Sequence, residues 1–144
     1  MKLIVDTNIV FSTLLNPHSA IGEILMNVQD EFTFFAPNLL KDELTRYTSK
    51  IAAYSKLGDN DLNQIKTSVL ANINFVSEAL INDNSWSQAY DLTKDIDEDG
   101  TPFIALAIEF KTKLWTGDKT LSNGLLKKGS DLIITTTDLK KLIK

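Results

Sequence analysis

The side chains in this sequence that could do chemistry are mostly carboxylates, and they stand in four places. Asp6 follows the apolar run Leu3-Ile4-Val5 without a spacer, and Thr7 and Asn8 come directly after it. A short continuous apolar run reads as a strand covered on both faces of a parallel sheet. In such sheets ligands bind in the crevice beyond the carboxyl ends of the strands, which is where Asp6 stands. Asp6 and Asn8 are also residue types that cap a helix, here one beginning near Ile9. Leu114-Trp115-Thr116-Gly117-Asp118 repeats the arrangement: an apolar strand, a small polar residue, then an aspartate.

Between these two lie Asp95, Asp97, Glu98 and Asp99, followed by Gly100-Thr101-Pro102 and the apolar run Phe103 to Phe110. Pro102 favours the first turn of a helix, and a helix N-terminus stabilises negative charge. One or two acids suffice for that, and four in five positions repel one another; the run reads either as dipole complementation plus a solvated loop or as a cation site, which would explain the excess. The last candidate is Glu43. Leu40, Leu44, Tyr47 and Ile51 recur at three- and four-residue steps and define the buried stripe of one long helix. At 100° per residue Glu43 falls at the edge of that stripe, whereas Asp42 points to solvent.

What surrounds these acids limits the chemistry. The chain has no cysteine and a single histidine, His18. That removes disulfides, thiolate nucleophiles, zinc–thiolate sites and acid–base catalysis by a histidine pair, so any metal must be held by oxygen. His18 follows Pro17 at a helix start and reads as a surface residue. The formal net charge of −4 argues against a generally basic nucleic-acid binder. The average conceals an asymmetry: residues 1–110 hold seven Lys/Arg against sixteen Asp/Glu, while 111–144 hold eight lysines against three aspartates. Those lysines read either as solvated helix faces and C-terminal ends or as a basic rim beside an acidic metal pocket. Divalent cations can invert the potential at an acidic site and so allow a polyanionic substrate.

The elements that must position these groups follow from periodicity. After the first strand come a helix to Leu15, a second helix with Ile21, Ile24, Leu25 and Val28 on one face, and a strand from Phe32 to Ala36. Asn38 is placed to cap the long helix that carries Glu43. A further helix, capped by Asp59 or Asn60, carries Leu62, Ile65, Val69 and Leu70. Ile73 to Val76 reads as a strand, and Ser85 to Leu92 as a helix whose Trp86, Ala89 and Tyr90 are packing residues. Lys113 to Trp115 and Leu132 to Ile134 are the last strands. The first of them is followed by a helix from near Thr120, the second by a short lysine-rich helix opening at Thr137 or Asp138. With 144 residues, 43% of them hydrophobic, the chain fits one domain, 1–144. Alternation of this kind implies a three-layer α/β/α arrangement around a mostly parallel sheet of four to five strands. No apolar run approaches the ~20 residues that cross a bilayer. Met1 to Val5 also meets Asp6 too soon to form a signal peptide's apolar region. The expected location is cytoplasmic, with no membrane partner.

Taken together, Ile4-Val5-Asp6-Thr7-Asn8, Glu43, the acidic loop leading into Thr101-Pro102-Phe103-Ile104-Ala105-Leu106-Ala107, and Leu114-Trp115-Thr116-Gly117-Asp118 resemble a PIN domain over nearly the whole chain. The resemblance is to the VapC-related, toxin-like members. It implies a metal-dependent ribonuclease with three or four acids around one or two Mg²⁺ or Mn²⁺ ions, often paired with an antitoxin protein. On that basis Asp6 and Asp118 are expected as direct metal ligands, Glu43 and Asp99 as ligands directly or through water, and Asp97 as a second or outer ligand. Asn8 and Thr116 would orient Asp6, water or phosphate, and Lys119 would contact the RNA backbone. One position departs from the pattern. An aspartate is expected three residues before the phenylalanine of the Pro-Phe-Ile-Ala-Leu-Ala segment, and here that residue is Gly100. A homodimer is compatible with apolar residues at helix edges.

Two other classes compete with this one. A catalytically weak PIN-like module that binds RNA or protein without turnover is consistent with Gly100. A receiver-type phosphoacceptor would need paired acids after the first strand and a lone aspartate after a middle one, but Thr7 follows Asp6, and Val76 leads only to Ser77. A phosphatase with an aspartyl nucleophile would need acid-x-acid where Asp6-Thr7-Asn8 stands.

Overall fold

In a computed structural model, which describes residues 1–27 and 30–143, Leu3, Ile4 and Val5 are completely buried at the centre of a parallel sheet. The first half of the chain runs β1 (Lys2–Val5), α1 (Thr7–Leu15), α2 (Ala20–Asn27), β2 (Thr33–Pro37), α3 (Leu39–Arg46), α4 (Thr48–Tyr54), α5 (Asp59–Ala71) and β3 (Ile73–Val76). It continues with a 3₁₀ turn Glu78–Leu80, α6 (Asp83–Thr93), a second 3₁₀ turn Glu98–Gly100, α7 (Thr101–Glu109), β4 (Lys113–Trp115), α8 (Lys119–Lys127), β5 (Ile133–Ile134) and α9 (Thr136–Leu142).

The strands lie in the order β3-β2-β1-β4-β5, and every pairing among them is parallel. Parallel pairing needs crossover connections, and helices supply them here. α1 packs with α2, α3, α4 and α5, while α6 packs with α7 and α8, and α7 lies against β1, β2 and β4. The three-layer α/β expectation therefore holds. Phe103 to Ala107 of α7 are all buried, as befits a helix apolar on every side. Trp115 is fully buried, and its indole N–H donates to Thr136 Oγ1 at 3.0 Å, so the ring's one polar atom is satisfied. The order of the sheet reverses at β1: the chain builds outward through β2 and β3, then returns to place β4 on the other side. This is the switch point at which such sheets open a crevice.

The structure departs from the sequence expectation in four places. The long helix through Leu40 and Ile51 is two helices, broken at Tyr47, whose backbone stands at φ −101°, ψ 11°. The hydroxyls of Thr45 and Thr48 donate to the carbonyls of Lys41 and Leu44 at 3.0 and 3.2 Å, a back-bonding that bends helices. Leu40, Leu44 and Ile51 are buried as the stripe requires, but Tyr47 is 45% exposed. Asn38 makes no side-chain cap; the Glu78 carboxylate accepts from the Asn38 and Leu39 N–H groups at 2.9 and 3.1 Å instead. Of the expected packing residues of α6, Ala89 is buried and Trp86 packs against the core, but Tyr90 is exposed. The caps also shift by a residue or two: Gly58 precedes α5, and Thr135 with Asp138 forms a capping box on α9. Val28 and Lys144 lie outside the described residues.

Candidate active site

Hydrogen bonding locks the turns after β1 and β4 together. Val5 is in register with Trp115, and the Asp6 N–H donates to the Trp115 carbonyl at 3.0 Å. The two aspartate-bearing turns, 112 positions apart in sequence, thus leave the sheet side by side. Thr116, almost wholly buried, sits between them. Its hydroxyl donates to Asp6 Oδ2 at 2.7 Å and accepts from Asn8 Nδ2 at 3.1 Å and from the Asp118 N–H at 3.0 Å. Asn8 Oδ1 accepts from the Gly117 N–H at 3.1 Å. Asp6 Oδ1 accepts the Thr7 N–H at 2.8 Å, so Asp6 caps α1 as well as facing the crevice. Asp118 caps α8 in the same way, accepting from the Leu121 N–H at 3.1 Å.

Glu43 reaches this place from α3. Thr7 Oγ1 donates to Glu43 Oε1 at 2.7 Å, which ties α1 to α3. The acidic loop completes the arrangement. Asp6, Glu43, Asp97, Asp99 and Asp118 all line one cavity of about 320 Å³. Only alternate acids of the loop enter it: Asp95 pairs instead with Lys128, whose ammonium also caps the Leu92 carbonyl at 2.9 Å. Asp97 Oδ1 accepts the Asp99 N–H at 3.1 Å, which fixes the turn that presents both. Gly100 also lines the cavity, with φ −78° and ψ −10°, a conformation open to any L-residue.

Lys119 begins α8 beside Asp118 but is exposed and outside the cavity lining, and none of the C-terminal lysines contributes to that lining. Lys50, from α4, is the cation on the wall, accompanied by Phe11 and Tyr47. Those three and Thr7 were not singled out by the sequence. Thr7 could have been, since a hydroxyl between two polar residues at a strand end has few other duties; Tyr47 and Lys50 stand at and just after the break between α3 and α4, and Phe11 lies on α1. His18 is exposed, 3.8 Å from Glu23, and does not line the cavity.

Burial pushes the Asp6 carboxyl up from 3.8 to about 6, against the lowering effect of the Thr116 and Thr7 hydrogen bonds, with the charges of Glu43 and Asp118 adding to the rise. Burial also raises Glu43; the Thr7 hydroxyl and Arg46 oppose the shift, and Asp99 and Asp97 reinforce it. Asp6 and Glu43 are thus hard oxygen donors whose ionisation is opposed first by burial and then by neighbouring carboxylates, the electrostatic state a cation relieves. Among the described residues no three Asp, Glu or His side chains are already drawn together as a ready-made metal cage. The donor chemistry fits a hard divalent ion that keeps several of its own waters, as Mg²⁺ does, and not one enclosed by protein.

A family model described as PIN domain matches residues 4–138. The chain is 33% identical over 124 residues to the uncharacterized protein MJ1680 of Methanocaldococcus jannaschii, covering 84% of this chain and 73% of that protein. Its fold is similar to a chain in the crystal structure of VapBC2 from Rickettsia felis bound to a DNA fragment from their promoter. That likeness has a TM-score of 0.65 and 15% identity, and spans 94% of this chain and 98% of the other.

Proposed function

The chain belongs to the PIN domain family, and from that membership and the carboxylate-lined cavity we propose that it is a Mg²⁺- or Mn²⁺-dependent ribonuclease, hydrolysing phosphodiester bonds in RNA. The observation that carries this reading is the convergence of Asp6, Glu43, Asp97, Asp99 and Asp118 on one cavity at the switch point of the sheet. Asp6 and Asp118 are assigned as direct ligands, Glu43 and Asp99 as ligands directly or through water, and Asp97 as an outer one. A bound divalent ion supplies nucleophile activation and neutralises charge on the scissile phosphate.

The rest of the work falls to the chain itself. Thr116 and the Thr7 N–H hold one oxygen each of Asp6, so its carboxylate plane is fixed before any ligand arrives. The Thr7 hydroxyl does the same for Glu43. Asn8, bonded to Thr116 and Gly117, locks the two turns to each other. Asn8 and Thr116 are thus positioning residues whose polar atoms are spent on the protein, rather than groups that grip substrate. Each of these bonds reduces the rearrangement needed when the site assembles.

The likeness to a chain of VapBC2 supports a narrower form of the reading, in which this protein is the toxin of a toxin–antitoxin pair, held in the cytoplasm by a partner protein. Gly100 at the expected acid position, and the lack of a ready-made trio of ligands among the described residues, favour a second reading: a PIN-like module that binds RNA or protein but turns over slowly.

Cleavage of single-stranded RNA with Mn²⁺, compared between the wild type and Asp6→Asn, tests the proposal. The wild type cuts and the folded variant does not; equal activity in the two removes Asp6 from the reaction. Calorimetric titration with Mn²⁺ separates the second reading, since an inert module shows no binding near millimolar metal.

A further inference from the structure

We propose that Phe11, Tyr47 and Lys50 form a nucleotide subsite on the wall of the carboxylate cavity, taking one unpaired nucleotide of a single-stranded RNA with its base on the Tyr47 ring and its phosphate at Lys50. This deepens the ribonuclease reading and rests on it. All three side chains line the same cavity as the five acids. They form a connected unit: Phe11 and Tyr47 meet perpendicularly, with centroids 6.3 Å apart and planes at 85°, and Lys50 Nζ stands 5.8 Å from the Phe11 centroid. Tyr47 and Lys50 are three residues apart at the start of α4, so they share a face of that helix.

Two features of this wall suit a ligand. Tyr47 is 45% exposed even though it falls in an otherwise buried stripe, and a perpendicular neighbour covers at most one face of its ring. Tyr47 stands at the break between α3 and α4 and lines the cavity. Lys50 is the one cation lining a cavity with five carboxylates, yet among the described residues it forms no ion pair and lies over an aromatic ring instead. A free aromatic face is a sequence-tolerant platform for a base, and an unpaired ammonium is a point charge for a backbone phosphate. A base within a duplex already has both faces stacked, so such a subsite selects unpaired RNA. The cavity's volume of about 320 Å³ suits a single small ligand and not a helical segment.

The test is fluorescence anisotropy on the full chain carrying Asp6→Asn to stop turnover. The probes are a short fluorescein-labelled single-stranded RNA of mixed sequence and the same RNA annealed to its complement. The parent binds the single strand more tightly than the duplex. Tyr47→Ala weakens single-strand binding roughly 5- to 150-fold, whereas Tyr47→Phe, which keeps the ring, stays within about twofold of the parent. Lys50→Ala weakens it too and makes the slope of log K against log salt shallower by about 0.7. Circular dichroism confirms that each variant is folded. Unchanged binding in Tyr47→Ala and Lys50→Ala, a Phe variant as weak as the Ala variant, or duplex bound as tightly as single strand overturns the subsite while leaving the nuclease reading intact. A parent that binds neither RNA, from a wild type that cuts none, overturns both.

Discussion

Replacing Asp6 by Asn in metal-free protein should stabilise the fold near neutral pH and destabilise it in mild acid. The Asp6 carboxyl is raised from 3.8 to about 6, mainly by burial. A carboxyl raised in the folded state holds its proton longer there than in the unfolded chain. Between about pH 4 and pH 6 the folded state therefore binds more protons, and stability falls as pH rises through that window. Two units at 1.36 kcal/mol each put the cost of ionised Asp6 at about 3 kcal/mol by pH 7. Asparagine avoids that cost but does not replace every bond. Its oxygen can keep the Thr7 N–H, while its amide faces a Thr116 hydroxyl that already accepts from Asn8 and Asp118. The bond from Thr116 and the longer one from Asn8 at 3.4 Å are lost, together worth about 1 kcal/mol. The variant should thus be more stable than the wild type by about 2 kcal/mol at pH 7 and less stable by about 1 kcal/mol at pH 4. Urea unfolding of both proteins in EDTA across that range measures the difference directly. Parallel stability curves from pH 4 to pH 7, or a variant that is weaker throughout, would refute the claim that Asp6 is held ionised against its surroundings. Added Mg²⁺ should then stabilise the wild type by about 2.7 kcal/mol at a hundredfold excess over its dissociation constant, and the variant by much less.

Three further outcomes follow from the same geometry. Thr116→Val removes the hydrogen bond that most lowers the Asp6 carboxyl; the acid limb of the pH–rate profile for Mn²⁺-dependent cleavage should move to higher pH, and an unmoved limb would separate Thr116 from Asp6. Glu78→Ala uncaps the start of α3, the helix that carries Glu43. It should cost about 1 kcal/mol in urea unfolding and weaken Mn²⁺ binding by calorimetry, whereas unchanged metal affinity would show that Glu43 is not positioned by that cap. Gly100→Asp is tight but within reach, since an added Cβ would stand 3.3 Å from Cδ2 of the buried Leu121, which has to give by a few tenths of an ångström. If that position is the missing acid, Mn²⁺ affinity and cleavage rate rise together; a fall in both would mark Asp99 as the complete replacement.

The strand ends bearing Asp6 and Asp118 were legible in the sequence because each is local: an apolar run stops at a polar turn, and nothing distant is needed to see it. The register between Val5 and Trp115 is not local. Periodicity says that a strand is buried, but not which strand lies beside it; only the crossover after β3 makes β1 and β4 neighbours and brings the two aspartates to one crevice. The same limit applies to the acidic loop, where Asp97 and Asp99 enter the cavity while Asp95 turns to Lys128, 33 residues away at the end of α8. Helical spacing placed Leu40, Leu44 and Ile51 correctly in the core and failed at Tyr47, because the spacing assumes an unbroken helix and the threonine hydroxyls bend this one. The sequence by itself therefore determined the layered α/β fold and which acids stand at the ends of strands. The tertiary structure decided which of those acids share a cavity and which cation and aromatic ring face them, since sharing a space depends on strand order and helix breaks that no single stretch of the chain encodes.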